Sequence, residues 1–328
     1  MKKYLLSVVA LCCAMVAGAQ NEIMTATLQH GSDVSVFTGA NAFVNANAQA
    51  VDGDVITLSS GAFNVSDITK SITVYGAGFE KDATTNTEVS KINGQLKLGV
   101  SGGETLSDIH LEGILFNAAV STNVPLEGFV MEKCYVEGAL NIGANTNTQI
   151  LNSIIKGSIT GGNQVATNCI IQNCYVSGEI NTFSAESSVK IDHCITTAMV
   201  GPYYCTNSIF TYYWVGAYYD RAAFANTEGA VVKNCIFRSF SYNNQDKNDF
   251  QNCYAVDLGA IFSDESNANY SATRTFEIKQ PETWIGLDGQ EIGIRYGWSK
   301  VPRIPVVTDL SATVSGENLN VDYNAVAR

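Results

Sequence analysis

A short phrase returns about every twenty residues through the middle of this chain: Asn or another polar residue, then Cys or Ser, then any residue, then usually an apolar one. It reads Lys133-Cys134-Tyr135-Val136, Asn152-Ser153-Ile154-Ile155, Asn173-Cys174-Tyr175-Val176, His193-Cys194-Ile195-Thr196, Asn207-Ser208-Ile209-Phe210, Asn234-Cys235-Ile236-Phe237 and Asn252-Cys253-Tyr254-Ala255. Repeats of this period indicate a solenoid with one turn per repeat. From Cys134 the steps to Ser153, Cys174 and Cys194 are 19, 21 and 20. The next two, 14 to Ser208 and 27 to Cys235, together span two coils with uneven loops, and 18 residues lead on to Cys253.

The small residue and the residue two later share one parity, so in a strand both point into a narrow interior. The position before the small residue is Asn in five of the seven phrases. Asn tolerates left-handed backbone and hydrogen-bonds its neighbours through its amide. One Asn per coil at the same level predicts an internal amide ladder at a turn, which explains the Asn without a ligand.

Met1 to Ala19 has the form of a secretory signal peptide: Lys2 and Lys3, an apolar run from Leu5 to Val16, then Ala17-Gly18-Ala19 as the cleavage site. An exported protein is expected: secreted, periplasmic or on the outer surface. No later stretch approaches the roughly 20 apolar residues of a membrane helix, so no transmembrane segment is expected. Of 19 basic residues the leader removes two and no acids, leaving 17 against 31 Asp and Glu. A chain this acidic does not hold a nucleic-acid backbone by electrostatics. Two of the nine cysteines lie in the leader, and most of the remaining seven fall at equivalent positions of successive coils. A buried column of free thiols is expected, since unpaired Cys behaves as a small hydrophobe. Zinc spacing is lacking, so neither a metal nor a cofactor is expected.

Residues 20–38 are polar and Thr-rich, suiting an opening strand, and Asn41–Val51 places Phe43, Ala46 and Ala50 at helical spacing, as in a cap helix. There follow Gly53-Asp54-Val55-Ile56, Gly61-Ala62-Phe63 and Lys70-Ser71-Ile72-Thr73-Val74-Tyr75-Gly76-Ala77-Gly78. This order resembles the opening turns of right-handed parallel β-helix proteins of the pectin-lyase-like superfamily, over about residues 38–295. The resemblance implies an all-β, right-handed parallel β-helix. It also implies a functionally mixed family that includes polysaccharide lyases, glycoside hydrolases, adhesins and proteins of no known activity. Ile56 with Leu58, Ile72 with Val74, Leu96 with Leu98 and Ile114 with Phe116 supply earlier coils, about ten in all. The expected organisation is a signal peptide (1–19), an opening segment (20–38), the helix with its caps (39–300), and a linker with a C-terminal β tail (301–328). Trp284–Ile294 reads as a last coil or a lid over it. Leu310–Val314 and Leu319–Tyr323 alternate around Gly316-Glu317-Asn318 as a hairpin.

The densest candidate for ligand contact is Tyr203, Tyr204, Tyr212, Tyr213, Trp214, Tyr218 and Tyr219 with Asp220 and Arg221, where the coil spacing is least even. Flat aromatic faces suit stacking on sugar rings, and the charged pair suits hydroxyls or a uronate. The plain alternative is aromatic packing. Ile191-Asp192-His193-Cys194 resembles the Trp-Ile-Asp-His segment of pectate lyases, with Lys190 in place of the Trp, but no Arg-x-Pro-x-x-Arg phrase follows. His193 occupies the Asn position, which favours a structural role. Hydrolysis needs acids on adjacent coils. Two residues before the small position stand Glu132, Leu151, Gln172, Asp192, Thr206, Lys233 and Gln251, which is no such cluster, and His30 and His110 look isolated. The expected function is a secreted or surface-displayed, non-catalytic β-helix that binds a polysaccharide or cell-surface glycan. The alternative is a polysaccharide lyase or glycoside hydrolase acting on an acidic polysaccharide.

Overall fold

A computed structural model describes residues 24–81, 88–201, 203–211, 223–224, 227–238, 246–263, 270 and 276–294, and the backbone alone of 306–315 and 318–326. Each repeat folds into short strands that pair only with the same strand one coil away, giving a parallel β-solenoid. The first sheet has twelve strands, of which ten, from Val55–Leu58 to Asp249–Gln251, run parallel, so there are about nine turns. At one strand spacing per turn the stack is about 43 Å long. A second sheet runs from Gly61–Asn64 to Tyr254–Ala255, and a third is built from Leu96–Leu98, Val120–Thr122, Leu140–Asn141, Ile159–Thr160 and the end of Tyr175–Asn181.

The turn count corrects one assignment. Leu96 and Leu98 do not form a coil of their own; they belong to the third sheet, paired with Val120 and Thr122. Alternating apolar residues look alike in all three walls, so parity alone does not tell a wall from a new coil.

The recurring phrase is the corner between the first and second sheets. Lys133, Asn152, Asn173, His193, Asn207, Asn234 and Asn252 all adopt left-handed backbone, with φ between 48° and 55°. The amide ladder is discontinuous. Asn173 Nδ2 donates to Asn152 Oδ1 at 2.7 Å and Asn152 Nδ2 to Glu132 Oε1 at 3.3 Å, and His193 interrupts the series. A second left-handed corner, where the chain enters the first sheet, is formed by Asp108, Gly128, Asn147 and Asn168. There Asn168 Nδ2 donates to Asn147 Oδ1 at 2.7 Å.

The small position has a chemical reason as well as a steric one. Cys134, Cys174, Cys194 and Cys235 point each Sγ at the carbonyl two residues earlier, at 3.2–3.3 Å. Ser153 and Ser208 donate to the same carbonyl at 2.7 and 2.8 Å. At these corners Cys and Ser are small enough for the narrow lumen and supply a donor for that carbonyl. The seven described cysteines are free, and all but Cys253 are buried. Burial pushes the Cys134 and Cys169 thiols up to about 12. At the corner between the second and third sheets the coils approach too closely for a side chain: a Cβ at Gly157 would lie 2.7 Å from the Ala139 nitrogen.

One end and one side of the stack are covered. Helix Ala42–Gln49 buries Phe43 and Ala46, and Ala50 just beyond it, against the first coil as expected. The opening segment forms two antiparallel strands, Thr25–His30 and Asp33–Thr38, the former pairing antiparallel with Val55–Leu58. Towards the other end of the chain, residues 258–263 and 276–294 lie along the outer side of the second sheet. Ile154, Tyr175, Ile195, Ile209 and Ile236 point outward there and are buried under Leu258, Ile261, Phe262, Phe276, Ile278, Ile292 and Ile294. The segment is pinned at the Asn corner: Leu287 N–H donates to Asn207 Oδ1 at 2.8 Å, and Asn234 Nδ2 to the Ile285 carbonyl at 3.2 Å. Trp284–Ile294 is therefore neither a last coil nor a lid over one, but a strap along the side. Val306–Ser315 and Asn318–Val326 form the expected hairpin, with Ser315 paired to Asn318.

Candidate functional site

Strand register sets what stands beside what on the outer face of the first sheet. The last residue of each strand forms one row, Tyr75, Glu112, Glu132, Leu151, Gln172, Asp192, Thr206, Lys233 and Gln251. Two residues earlier runs a parallel row that includes His110, Val130, Gln149, Ile170, Lys190, Tyr204 and Val231.

Of the predicted aromatic cluster, Tyr203 and Tyr204 are described and point opposite ways. Tyr203 is buried: its ring meets Phe183 edge-on at 5.7 Å and its hydroxyl accepts from the Phe183 N–H at 3.2 Å. Burial pushes that hydroxyl up to about 12. Tyr203 is thus core packing rather than part of an exposed face, because its coil turns it into the lumen over Gly201, where any side chain would overlap the ring. Tyr204, the next residue, is 39 % exposed on the outer face, with the Lys233 ammonium 5.9 Å from its ring centre and Lys190 in register one coil below. Tyr212, Tyr213, Trp214, Tyr218, Tyr219, Asp220 and Arg221 lie outside the described residues.

The reading of Asp192-His193 as corner structure holds at His193, which takes the left-handed backbone and is wholly buried. Asp192 Oδ1 accepts from Thr206 Oγ1 at 2.7 Å and Asn207 Nδ2 at 3.0 Å, while its Oδ2 accepts from Gln172 Nε2 at 2.9 Å. Burial acts to raise the Asp192 carboxyl, but the neighbouring His193 and the hydrogen bonds outweigh it, holding the group well below the usual carboxylate range. His193 lies between two carboxylates, Asp192 Oδ1 at 3.1 Å and Asp288 Oδ1 of the strap at 3.5 Å, at angles that leave both ring nitrogens without a directed hydrogen bond.

Neither His110 nor the acids are isolated, contrary to expectation. Extended one coil back, the row brings Glu112 directly opposite Glu132, with His110 two residues before Glu112 on the same face. His30 is also partnered, its Nδ1 lying 2.7 Å from Asp54 Oδ1. The signal that reveals Glu112 is register alone, because at that coil the corner phrase has become Gly113-Ile114 and no longer resembles Asn-Cys.

Among the described residues no helix is long and apolar enough to cross a membrane. No family model, curated protein or solved structure matches the chain.

Proposed function

We propose that this is an exported, non-catalytic β-solenoid of the pectin-lyase-like type that binds a polysaccharide or cell-surface glycan along the outer face of its first sheet. The observation that carries the reading is the Tyr204 platform, an exposed ring with Lys233 over it and Lys190 one coil away. A sugar ring stacks on such a face, and the ammonium groups meet its hydroxyls or a uronate carboxylate. Export is supported by the leader-like start at Met1–Ala19, and the superfamily by the opening phrases from Gly53 to Gly78. The lack of lyase and hydrolase phrases supports binding without turnover.

Affinity electrophoresis of the mature chain through gels containing polygalacturonate, alginate or a neutral glucan tests this. Retardation by at least one polymer is expected, and Tyr204→Ala should abolish most of it. Retardation unchanged both in Tyr204→Ala and in the Tyr213→Ala/Trp214→Ala double variant would remove the aromatic face as the binding site. Release of unsaturated uronides or new reducing ends would replace binding with catalysis.

A further inference from the structure

Three metal-ligating side chains converge on the outer face of the first sheet, several coils from Tyr204. His110 and Glu112 lie two residues apart on one strand, so both side chains leave the same face, and Glu132 is the register partner of Glu112 on the next coil. One ligand atom from each falls within 4.8 Å of the others. His110 Nε2 is 3.6 Å from Glu112 Oε2. That is close to roughly 3.4 Å, the edge of a tetrahedron built on metal–ligand bonds of about 2.1 Å.

We propose that His110, Glu112 and Glu132 form a binding site for a divalent first-row transition metal of the Zn²⁺ type. Two observations beyond the clustering point to a ligand. First, His110 Nε2 is completely buried yet has no hydrogen-bond partner, although its side chain as a whole is 28 % exposed. A buried ring nitrogen aimed at carboxylates without a directed bond is costly when empty and is satisfied by a metal. Second, the surroundings hold the ligands in place. Asn152 Nδ2 donates to Glu132 Oε1 at 3.3 Å, orienting that carboxylate from outside the trio. Tyr75, in register with Glu112, meets the imidazole edge-on at 5.6 Å and walls the site on the side of the preceding coil. Carboxylates directly opposite on neighbouring strands repel, and a dication turns that repulsion into ligation.

The donor set selects the metal class. One imidazole nitrogen with two carboxylates suits Zn²⁺, which takes three protein ligands and leaves a fourth position open to water or a ligand oxygen. Ca²⁺ wants six to eight oxygens and is poorly served by this trio.

The test is calorimetric titration of the untagged mature chain, freed of metal by chelator, with ZnCl₂ and separately with CaCl₂. One Zn²⁺ per chain is expected, bound more tightly than Ca²⁺ and weakening as pH falls and the ligands take up protons. His110→Gln and Glu132→Gln, with folding checked by circular dichroism, should each weaken binding at least tenfold. X-ray absorption on the unmutated Zn²⁺-loaded chain gives a check independent of folding in the variants: an N/O shell at about 2.0–2.1 Å with a single imidazole is expected. The proposal is overturned by no saturable Zn²⁺ binding, by Ca²⁺ binding as tightly, by unchanged affinity in folded variants, or by a Zn–S shell at about 2.3 Å, which would assign the metal to the thiols.

Discussion

At the scale of single residues, the corner position shows two demands met by one side chain. Asn173 holds a φ of 55°, which costs most L-residues energy, and its amide bonds Asn152 on the coil below at 2.7 Å. The two contributions separate by substitution. Asn173→Gly keeps the backbone but loses the amide bond, worth about 1 kcal/mol, and adds unfolded-state freedom worth about 0.5–1 kcal/mol. Asn173→Ala loses the same bond and adds left-handed strain of about 1–2 kcal/mol. Urea unfolding should therefore rank wild type above Gly and Gly above Ala. A smaller loss for Ala than for Gly would show that backbone strain plays no part in the preference for Asn. The residue after Asn obeys the same economy, since Cys and Ser aim their donors at the same carbonyl and the hydroxyls of Ser153 and Ser208 already stand in for sulfur.

At the scale of strands and coils, cohesion is both in the ladders and in polar side chains that reach across them. Asp192 bonds Gln172 on the coil below and Thr206 and Asn207 on the coil above, tying three turns together. Its native carboxyl is held below the value of about 3.9 that it has in an unfolded chain. The stabilisation is therefore complete above that value and is lost as pH falls below it towards the depressed native one. Asp192→Asn should cost about 1–3 kcal/mol at neutral pH and flatten the decline of thermal stability between about pH 4 and 2. An acid decline as steep as the wild type's would mean that other carboxylates carry it. Register made this row readable from Cys134 onward, because Asn-Cys marks each corner. One coil earlier, Gly113 supplies the left-handed turn with φ 72° and Ile114 fills the lumen, so the mark vanishes and with it the pairing of Glu112 with Glu132. The three walls were hidden for a related reason: Leu96 and Leu98 alternate just as first-sheet residues do, and only pairing shows which wall they occupy.

At the scale of the whole molecule, the strap explains a regularity that the phrase carries but does not announce. Its third position reads Tyr135, Ile154, Tyr175, Ile195, Ile209, Ile236 and Tyr254, always large and largely apolar, although its parity points it away from the lumen. Left open, such a column would be an exposed apolar stripe of the kind that drives association. Residues 258–263 and 276–294 cover much of it, so the solenoid has a second core outside its wall. Tyr175 and Phe276 stack across that core with ring centres 5.4 Å apart and planes 24° from parallel. Nearest-neighbour coupling dominates a solenoid, so a contact between the strap and the wall should register as a local interaction energy. Tyr175→Ala and Phe276→Ala should each cost about 3–5 kcal/mol, as deletion of a buried ring does. The double variant should cost about 0.5–1.5 kcal/mol less than their sum, the share belonging to the ring pair itself. Pairing Tyr175→Ala with Phe43→Ala in the distant cap helix should give additive losses. Additivity in the Tyr175–Phe276 cycle as well would detach the strap from the wall and leave the outward Tyr and Ile column without its cover.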